Sequence, residues 1–439
     1  MSDTELTEEG LRVAIGLPSA VMLVMGGIIG VGIFVNPAVV ARSLHSPELV
    51  LAAWGAGGLV ALLGAFVYAE LAAHIPATGG EYVYLRSVYG PLVAFLFGWT
   101  TLLVVQAGGL AAVSIVFAKN LAVLSGGVLN EKAVIVATLA ALAGVNCLGV
   151  KAGDRTQAVL GVLKVVVIAA LIGAGFAIVA PAAPAPSAAP AAGGPIKAFG
   201  AALIPVVFSY GGWQTANYVA GEVRQAGRNL ARALLIGVAA VIALYLLVNL
   251  ACLHGLGVSG LAATLTPASD VLERAVGPAG ARLAAAAVAL SALAFISQGM
   301  LTGPRVTFAM ARDGLFFRAA GQVSARARVP VIAILLQAAW TAVLALSGTY
   351  ERILSYVIAM NFLFFGLSAS CLFFLRRRAG PEGFRAPFHP FTTGAFIAAC
   401  VVVVGASFWA YPVDSLIGYA ILAAGVPPYL YWRGKLRRT

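Results

Sequence analysis

Charge is what this sequence has least of. Only 10% of its 439 residues are Asp, Glu, Lys or Arg, while 61% are hydrophobic. A water-soluble chain of this length needs far more polar side chains to cover its surface, so that balance excludes a soluble globular protein. Histidine is nearly as scarce: His45, His74, His254 and His389 sit apart, at the ends of apolar segments or in loops. No constellation of His, Asp or Glu within apolar sequence is there to hold a metal or run acid–base chemistry. A membrane-embedded enzyme, a metal and a cofactor are therefore not expected. Cys147, Cys252, Cys371 and Cys400 all fall in or beside apolar segments, which suits buried thiols rather than a disulfide framework. The first residues lack the basic stretch and small-residue cleavage site of a signal peptide and carry Asp3, Glu5, Glu8 and Glu9 instead. The first apolar segment is thus expected to be retained. A repeated polar stripe or filter sequence, which a channel would need, is missing too.

What fills the chain instead is apolar runs, most of about the 20 residues that a bilayer crossing needs. They predict an all-α membrane protein with twelve transmembrane helices, at 14–41, 49–73, 88–118, 132–149, 156–180, 197–221, 230–254, 280–303, 328–347, 351–375, 391–411 and 413–432. The net charge of +12 follows from topology rather than from nucleic acid, which is not an expected partner. Arg86, Lys151, Arg155, Arg224, Arg228, Arg305, Arg312, Arg376, Arg377, Arg378 and most of the remaining basic residues fall in loops or tails on one side of the membrane. Arg42, Lys119, Lys132, Lys197, Arg274, Arg282 and Arg352 fall on the other. Basic loops stay inside, so both termini are expected in the cytoplasm.

Two stretches interrupt these runs with glycine. Met25-Gly-Gly-Ile-Ile-Gly-Val-Gly32 lies in the middle of the first, and Phe208-Ser-Tyr-Gly-Gly-Trp213 inside the sixth. Each glycine costs a helix about 1 kcal/mol relative to Ala, and broken backbone at membrane depth survives only where protein buries it or it lines a cavity. Close helix crossing is the alternative use of the Gly26–Gly30 spacing. Pro181 to Pro190 is Pro/Ala-rich and reads as a stiff external linker. The chain then divides into an N-terminal tail (1–13), a first five-span half (14–180), the linker (181–196) and a second five-span half (197–375). A cytoplasmic loop (376–390), two further spans (391–432) and a C-terminal tail (433–439) follow. The glycine breaks head both halves. Because five is odd, the halves have opposite topology, and matching breaks in inverted halves point to a transporter's midplane site.

Four patches carry a family resemblance. Gly27-Ile-Ile-Gly-Val-Gly-Ile-Phe34 resembles the first-helix motif of the amino acid–polyamine–organocation superfamily. Pro76-Ala-Thr-Gly-Gly-Glu-Tyr-Val-Tyr-Leu85 with Tyr89-Gly90-Pro91 resembles the loop after its second helix. Phe208 to Trp213, then Glu222 and Arg228-Asn229, is similar to the sixth helix and following loop of its L-type amino acid transporter branch. Arg305-Val-Thr-Phe-Ala-Met-Ala-Arg-Asp-Gly314 resembles the end of the eighth. The resemblance implies a five-plus-five inverted repeat with helices one and six broken, carrying amino acids by alternating access. Ile28, Gly30, Val31 and Gly32 would then surround the substrate carboxylate and amino group. Phe208, Ser209 and Gly211 would complete the contacts, with Phe208 as an external lid. Val31 departs from the Ser or Thr often found there, and Gln214 from a common Asn.

Lys164, about eight residues inside the fifth span, is either a snorkelling amine or one that must find carbonyls or lose its proton. The resemblance puts its amine where sodium sits in sodium-coupled members of the wider fold, tied to the broken first helix and to the eighth helix near Ser297. That implies sodium-independent exchange, with proton symport as the alternative. A pocket without a carboxylate favours neutral substrates of small or medium size, with Tyr210, Trp213, Tyr218 and Phe365 crowding the side-chain end. Tyr210, Gln214, Gln298 and Asn361 are candidate gate or polar contacts. Glu70, Glu81, Glu222 and Asp313 fall near the cytoplasmic side with Arg86, Arg224, Arg228 and Arg312 nearby, and read either as solvated loop pairs or as an inner-gate network. The external loop from Lys119 to Lys132 has no cysteine, so no disulfide-linked accessory subunit is expected. The lipid bilayer of a bacterial inner membrane and a small amino acid are the expected partners.

Overall fold

The computed structural model describes all residues except 1–5, 8, 179–193, 348–349, 379–382, 411 and 437–439. The Pro/Ala-rich linker and the end of the C-terminal tail thus lie outside the described residues. In chain order the helices are α1 (Leu17–Ile28), α2 (Asn36–Leu44), α3 (Pro47–His74), α4 (Glu81–Tyr89), α5 (Pro91–Leu124), α6 (Glu131–Cys147), α7 (Val150–Phe176) and α8 (Pro195–Ser209). There follow α9 (Ala226–Ala263), α10 (Pro267–Val276), α11 (Ala279–Arg312), α12 (Val331–Ser347), α13 (Tyr350–Arg378), α14 (Phe391–Ala410), α15 (Pro412–Ala423) and α16 (Val426–Leu436). Among the described residues there is no strand, only isolated bridges.

The apolar runs become helices because lipid offers backbone amides no partner. Among the described residues α3, α5, α7, α9, α11 and Phe391–Trp409 of α14 are long and apolar enough to cross a membrane. Local chemistry sets the ends. Ser46 accepts from the Leu49 amide at the start of α3, and Asn130 from the Ala133 amide at the start of α6. These are the side chains best able to satisfy a helix's first free N–H groups. Two short helices were not foreseen. α4 starts right after Gly79 and Gly80, both at positive φ, and α10 is an amphipathic turn of chain between α9 and α11. The twelfth expected span is split between α15 and α16 at Ala424-Gly425.

The core is built around α1, which packs on α7, α9 and the 3-10 turn Trp213–Glu222. α3 packs along α9, and α11 along α5. One end of the bundle gathers both termini: Ile15 bridges to Val223, and the Leu436 side chain lies against Gly314 at the end of α11. This is called the termini end below.

Candidate functional site

Both glycine stretches break their helices. α1 stops at Ile28, the chain passes through Ile29 to Val31 unwound, and a single turn at Gly32–Phe34 leads into α2. α8 stops at Ser209, and Gly212 (φ 105°) turns the chain into the Trp213–Glu222 helix. The breaks touch one another. A Cβ on Gly27 would lie 2.5 Å from the Gly212 carbonyl oxygen, and one on Gly212 would overlap the Gly27 carbonyl. The close approach is made by Gly27 on Gly212 and not by the Gly26–Gly30 pair, since a Cβ on Gly30 would meet nothing nearer than the Phe295 ring at 3.6 Å.

Three side chains take up the carbonyls that the breaks free. Lys164 of α7, 1% exposed, donates to the Gly26 and Ile29 carbonyls. Tyr245 of α9 donates to Ile28 O at 3.1 Å and shares Ser209 O at 3.2 Å, so one hydroxyl spans both breaks. Ser291 of α11 donates to Gly30 O at 3.1 Å. Lys164 does not snorkel: its ammonium points into the core, where charge-assisted bonds to carbonyls offset part of its desolvation. Among the described residues the hydroxyl of Ser297, its other expected neighbour, has no hydrogen-bond partner. Nothing in the sequence marked Tyr245 or Ser291, since one polar residue in an apolar helix looks the same whether it bonds a neighbour or a break.

Beside the breaks lies a cavity of about 110 Å³, against the roughly 10–15 Å³ that one water needs by the same measure. Gly27, Ile28, Gly30, Val31 and Gly32 form one wall, and Phe208, Ser209, Gly211, Gly212, Gln214 and Thr215 another. Val105, Gln106, Gly109, Ala112 and Val113 of α5 close it with Phe295, Gln298, Asn361 and Phe362. No described lining residue is ionisable. The amides of Val31 and Gly32 have no hydrogen-bond partner among the described residues. They are unpaired donors at a ligand-sized hollow, the arrangement that receives an anion.

Every expected substrate contact, from Ile28 to Gly211, lines this cavity, as do Gln214, Gln298 and Asn361. Their polar groups are partly committed. Gln214 Oε1 accepts from the Gly212 amide at 3.0 Å, and Gln298 Nε2 donates to Thr215 Oγ1 at 2.7 Å. The Ser209 hydroxyl donates to Pro205 O and accepts from Asn36 Nδ2, which ties α8 to α2. Tyr210 lies elsewhere. Its ring packs on Trp54 and Tyr245, and with Trp213 and Phe365 it lines a small neighbouring void. Tyr218 is likewise drawn away, to Glu81. The α5 wall was not anticipated. There Thr101–Val105 forms a π turn just before Gln106, a local widening often found at functional sites.

At the termini end the carboxylates are not solvated loop groups. Glu222 is fully buried and takes a bidentate pair from Arg305 at 2.7 and 2.9 Å. Glu70 takes one from Arg376 at 2.6 Å, and Asp313 pairs with Arg86 at 2.7 Å. Of these arginines only Arg86 was among those expected beside the acids; Arg305 and Arg376 were not. Breaking a buried pair costs about 3–5 kcal/mol, a figure that applies to Glu222–Arg305, while Arg86 of the Asp313 pair is half exposed.

Broken helices around a ligand-sized, uncharged cavity, inside a bundle with membrane-length helices, define a membrane transporter of small molecules. Residues 15–427 match the family model described as Amino acid permease, and the chain belongs to that family of amino acid transporters. It is 30% identical to the serine/threonine exchanger SteT of Bacillus subtilis, covering 96% of this chain and 97% of that protein. It is 29% identical to the mouse b(0,+)-type amino acid transporter 1, covering 85% and 78%. With the mouse large neutral amino acids transporter small subunit 2 it shares 28%, covering 97% and 82%. Membership makes it a carrier and not an enzyme.

Proposed function

We propose that the protein exchanges neutral L-amino acids of small to medium size across a bacterial inner membrane, without sodium and by alternating access. In this reading both termini are cytoplasmic, twelve crossings form a five-plus-five inverted repeat plus two helices, and 14–180 and 197–375 are its halves. One observation carries the reading: Val31 and Gly32, whose amides have no hydrogen-bond partner among the described residues, line a cavity in which no described side chain is charged. The substrate carboxylate would bond those amides. Its ammonium would take the second lone pair of break carbonyls that carry a hydroxyl rather than Lys164, such as Ile28 O, Gly30 O or Ser209 O, near helix ends whose dipoles favour a cation. Ile28, Gly30, Phe208, Ser209 and Gly211 would enclose the pair, with Phe208 as lid. A second carboxylate or ammonium on the substrate would go unpaired there.

Lys164 supports sodium independence, since its ammonium already occupies the carbonyls that a cation would seek. SteT, an exchanger by name, supports exchange over symport. No accessory subunit is needed in this reading. The test is counterflow in proteoliposomes. Vesicles loaded with unlabelled alanine or serine should take up the labelled amino acid in sodium-free buffer, while empty vesicles should not. Equal uptake into empty vesicles driven by a proton gradient would establish symport instead. Uptake of labelled lysine in preference to alanine would overturn the neutral assignment.

A further inference from the structure

Glu81 is the odd member of the buried carboxylates at the termini end. Glu70, Glu81 and Glu222 are all fully buried. Glu70 has Arg376 and Glu222 has Arg305, but among the described residues Glu81 has no cation within ion-pair distance. Its partners are hydroxyls from three separate elements. Tyr68 of α3 donates at 2.7 Å, Tyr218 of the helix after the sixth-span break at 3.0 Å, and Ser368 of α13 at 3.5 Å. The carboxylate itself opens α4, outside the membrane spans, right after the Gly79–Gly80 turn. That turn is clamped too: the Gly79 amide donates to Tyr218 O at 2.9 Å. Four parts of the chain thus meet on one carboxyl group.

The groups facing it from the packed elements are phenols, a hydroxyl and thiols: Tyr84 on α4 itself, Tyr68, Tyr218, Ser368, Cys371 of α13 and Cys400 of α14. No carboxylate or cation is among them, and phenols ordinarily titrate near 10. Arg86, Arg305 and Arg376 pair with other acids, and Arg378 donates to the Ser87 carbonyl. A lone carboxylate sealed from water without a cation is a costly arrangement. As a carboxylic acid it stays a good partner for three hydroxyls, since it donates one bond and accepts the others.

We propose that Glu81 is a proton-binding site, which takes up a proton from cytoplasmic water as the termini end closes over it and returns it as that end opens. This rests on the alternating-access reading above. The proton enters and leaves on the same side, so none is carried across. Burial pushes the Glu81 carboxyl up to about 7 from its ordinary 4.5, while the hydroxyls of Tyr68, Tyr218 and Ser368 hold it lower than burial alone would. The sign follows from linkage. The closed state binds the proton more tightly than an open, hydrated one, so acidity between the two values favours closure. Above about 7 the carboxyl is ionised in both states and the bias is gone.

Exchange of a labelled neutral amino acid is measured in proteoliposomes with the same pH on both faces. The wild type should slow about tenfold from pH 8 to pH 6, because one linked proton changes the balance at most tenfold per pH unit and only the unit below about 7 counts. Glu81→Gln, which cannot titrate, should give a flat profile. Tyr218→Phe removes a donor that favours the carboxylate, so its midpoint should move to more alkaline pH. A wild-type profile that is flat, or a Glu81→Gln profile like the wild type's, overturns the proposal. If Glu81→Gln does not fold, the Tyr218→Phe midpoint decides, and an unmoved midpoint overturns it. Absence of exchange at every pH in the wild type would contradict the transporter reading instead.

Discussion

Lys164 holds two carbonyls that α1 leaves behind where it breaks, and nothing else among the described residues does so for Gly26 and Ile29. Removing the amine leaves both acceptors buried without a donor, at about 1–3 kcal/mol each. Lys164→Ala should therefore abolish uptake, because the first break loses its fixed shape. The purified protein should remain monodisperse but melt at lower temperature. Wild-type uptake by the variant would show that the amine is not needed. That Lys164 needs buried acceptors was legible from an ammonium placed inside an apolar span. Its companions were not: Tyr245 and Ser291 bond the same broken backbone, yet each is one polar residue in an apolar helix. The same holds for Tyr210. It sits one residue from Ser209 in the motif, but after α8 ends its side chain packs on Trp54 and Tyr245 and leaves the main cavity.

At the scale of elements, the glycine runs told where α1 and α8 break, because lipid tolerates such runs only at a crossing or a cavity. Their contact was not foreseeable, since no sequence pattern aligns Gly27 with Gly212 across nearly the whole first half. That contact is backbone on backbone. Gly27→Ala would push a methyl to 2.5 Å from the Gly212 carbonyl oxygen, and no side chain can move aside to relieve it. The variant is expected to express but to lose substrate-induced thermal stabilisation, since the two breaks would be forced apart. A stabilisation equal to the wild type's would show that the crossing tolerates a Cβ. The ion pairs tell the same story of distance. Arg305 finds Glu222, and Arg376 finds Glu70, from helices that only the tertiary fold brings together. By contrast Ser46 and Asn130 cap the helices that directly follow them.

For the whole molecule, composition alone excluded a soluble fold, and the periodic supply of apolar runs gave helices at each expected span. Helix ends were less legible. α11 runs on to Arg312, well past the expected end of the eighth span, and α9 continues past Gly257 to Ala263. The α11 extension is buried from Pro304 to Ala311, so tertiary packing supports it, and α9 continues across a bend at Gly257 (φ 67°). The molecule then comes down to one arrangement: a termini end tied together by ion pairs, and a cavity beside the two breaks with no ionisable side chain among its described lining residues. A structure of the protein with a bound neutral amino acid, solved by electron cryomicroscopy in lipid nanodiscs, tests this most directly. The ligand's carboxylate should lie within hydrogen-bond distance of the Val31 and Gly32 amides, between α1 and α8 that both end at their breaks. A ligand held by side-chain charges elsewhere, or first and sixth spans running unbroken through the membrane, would contradict the account.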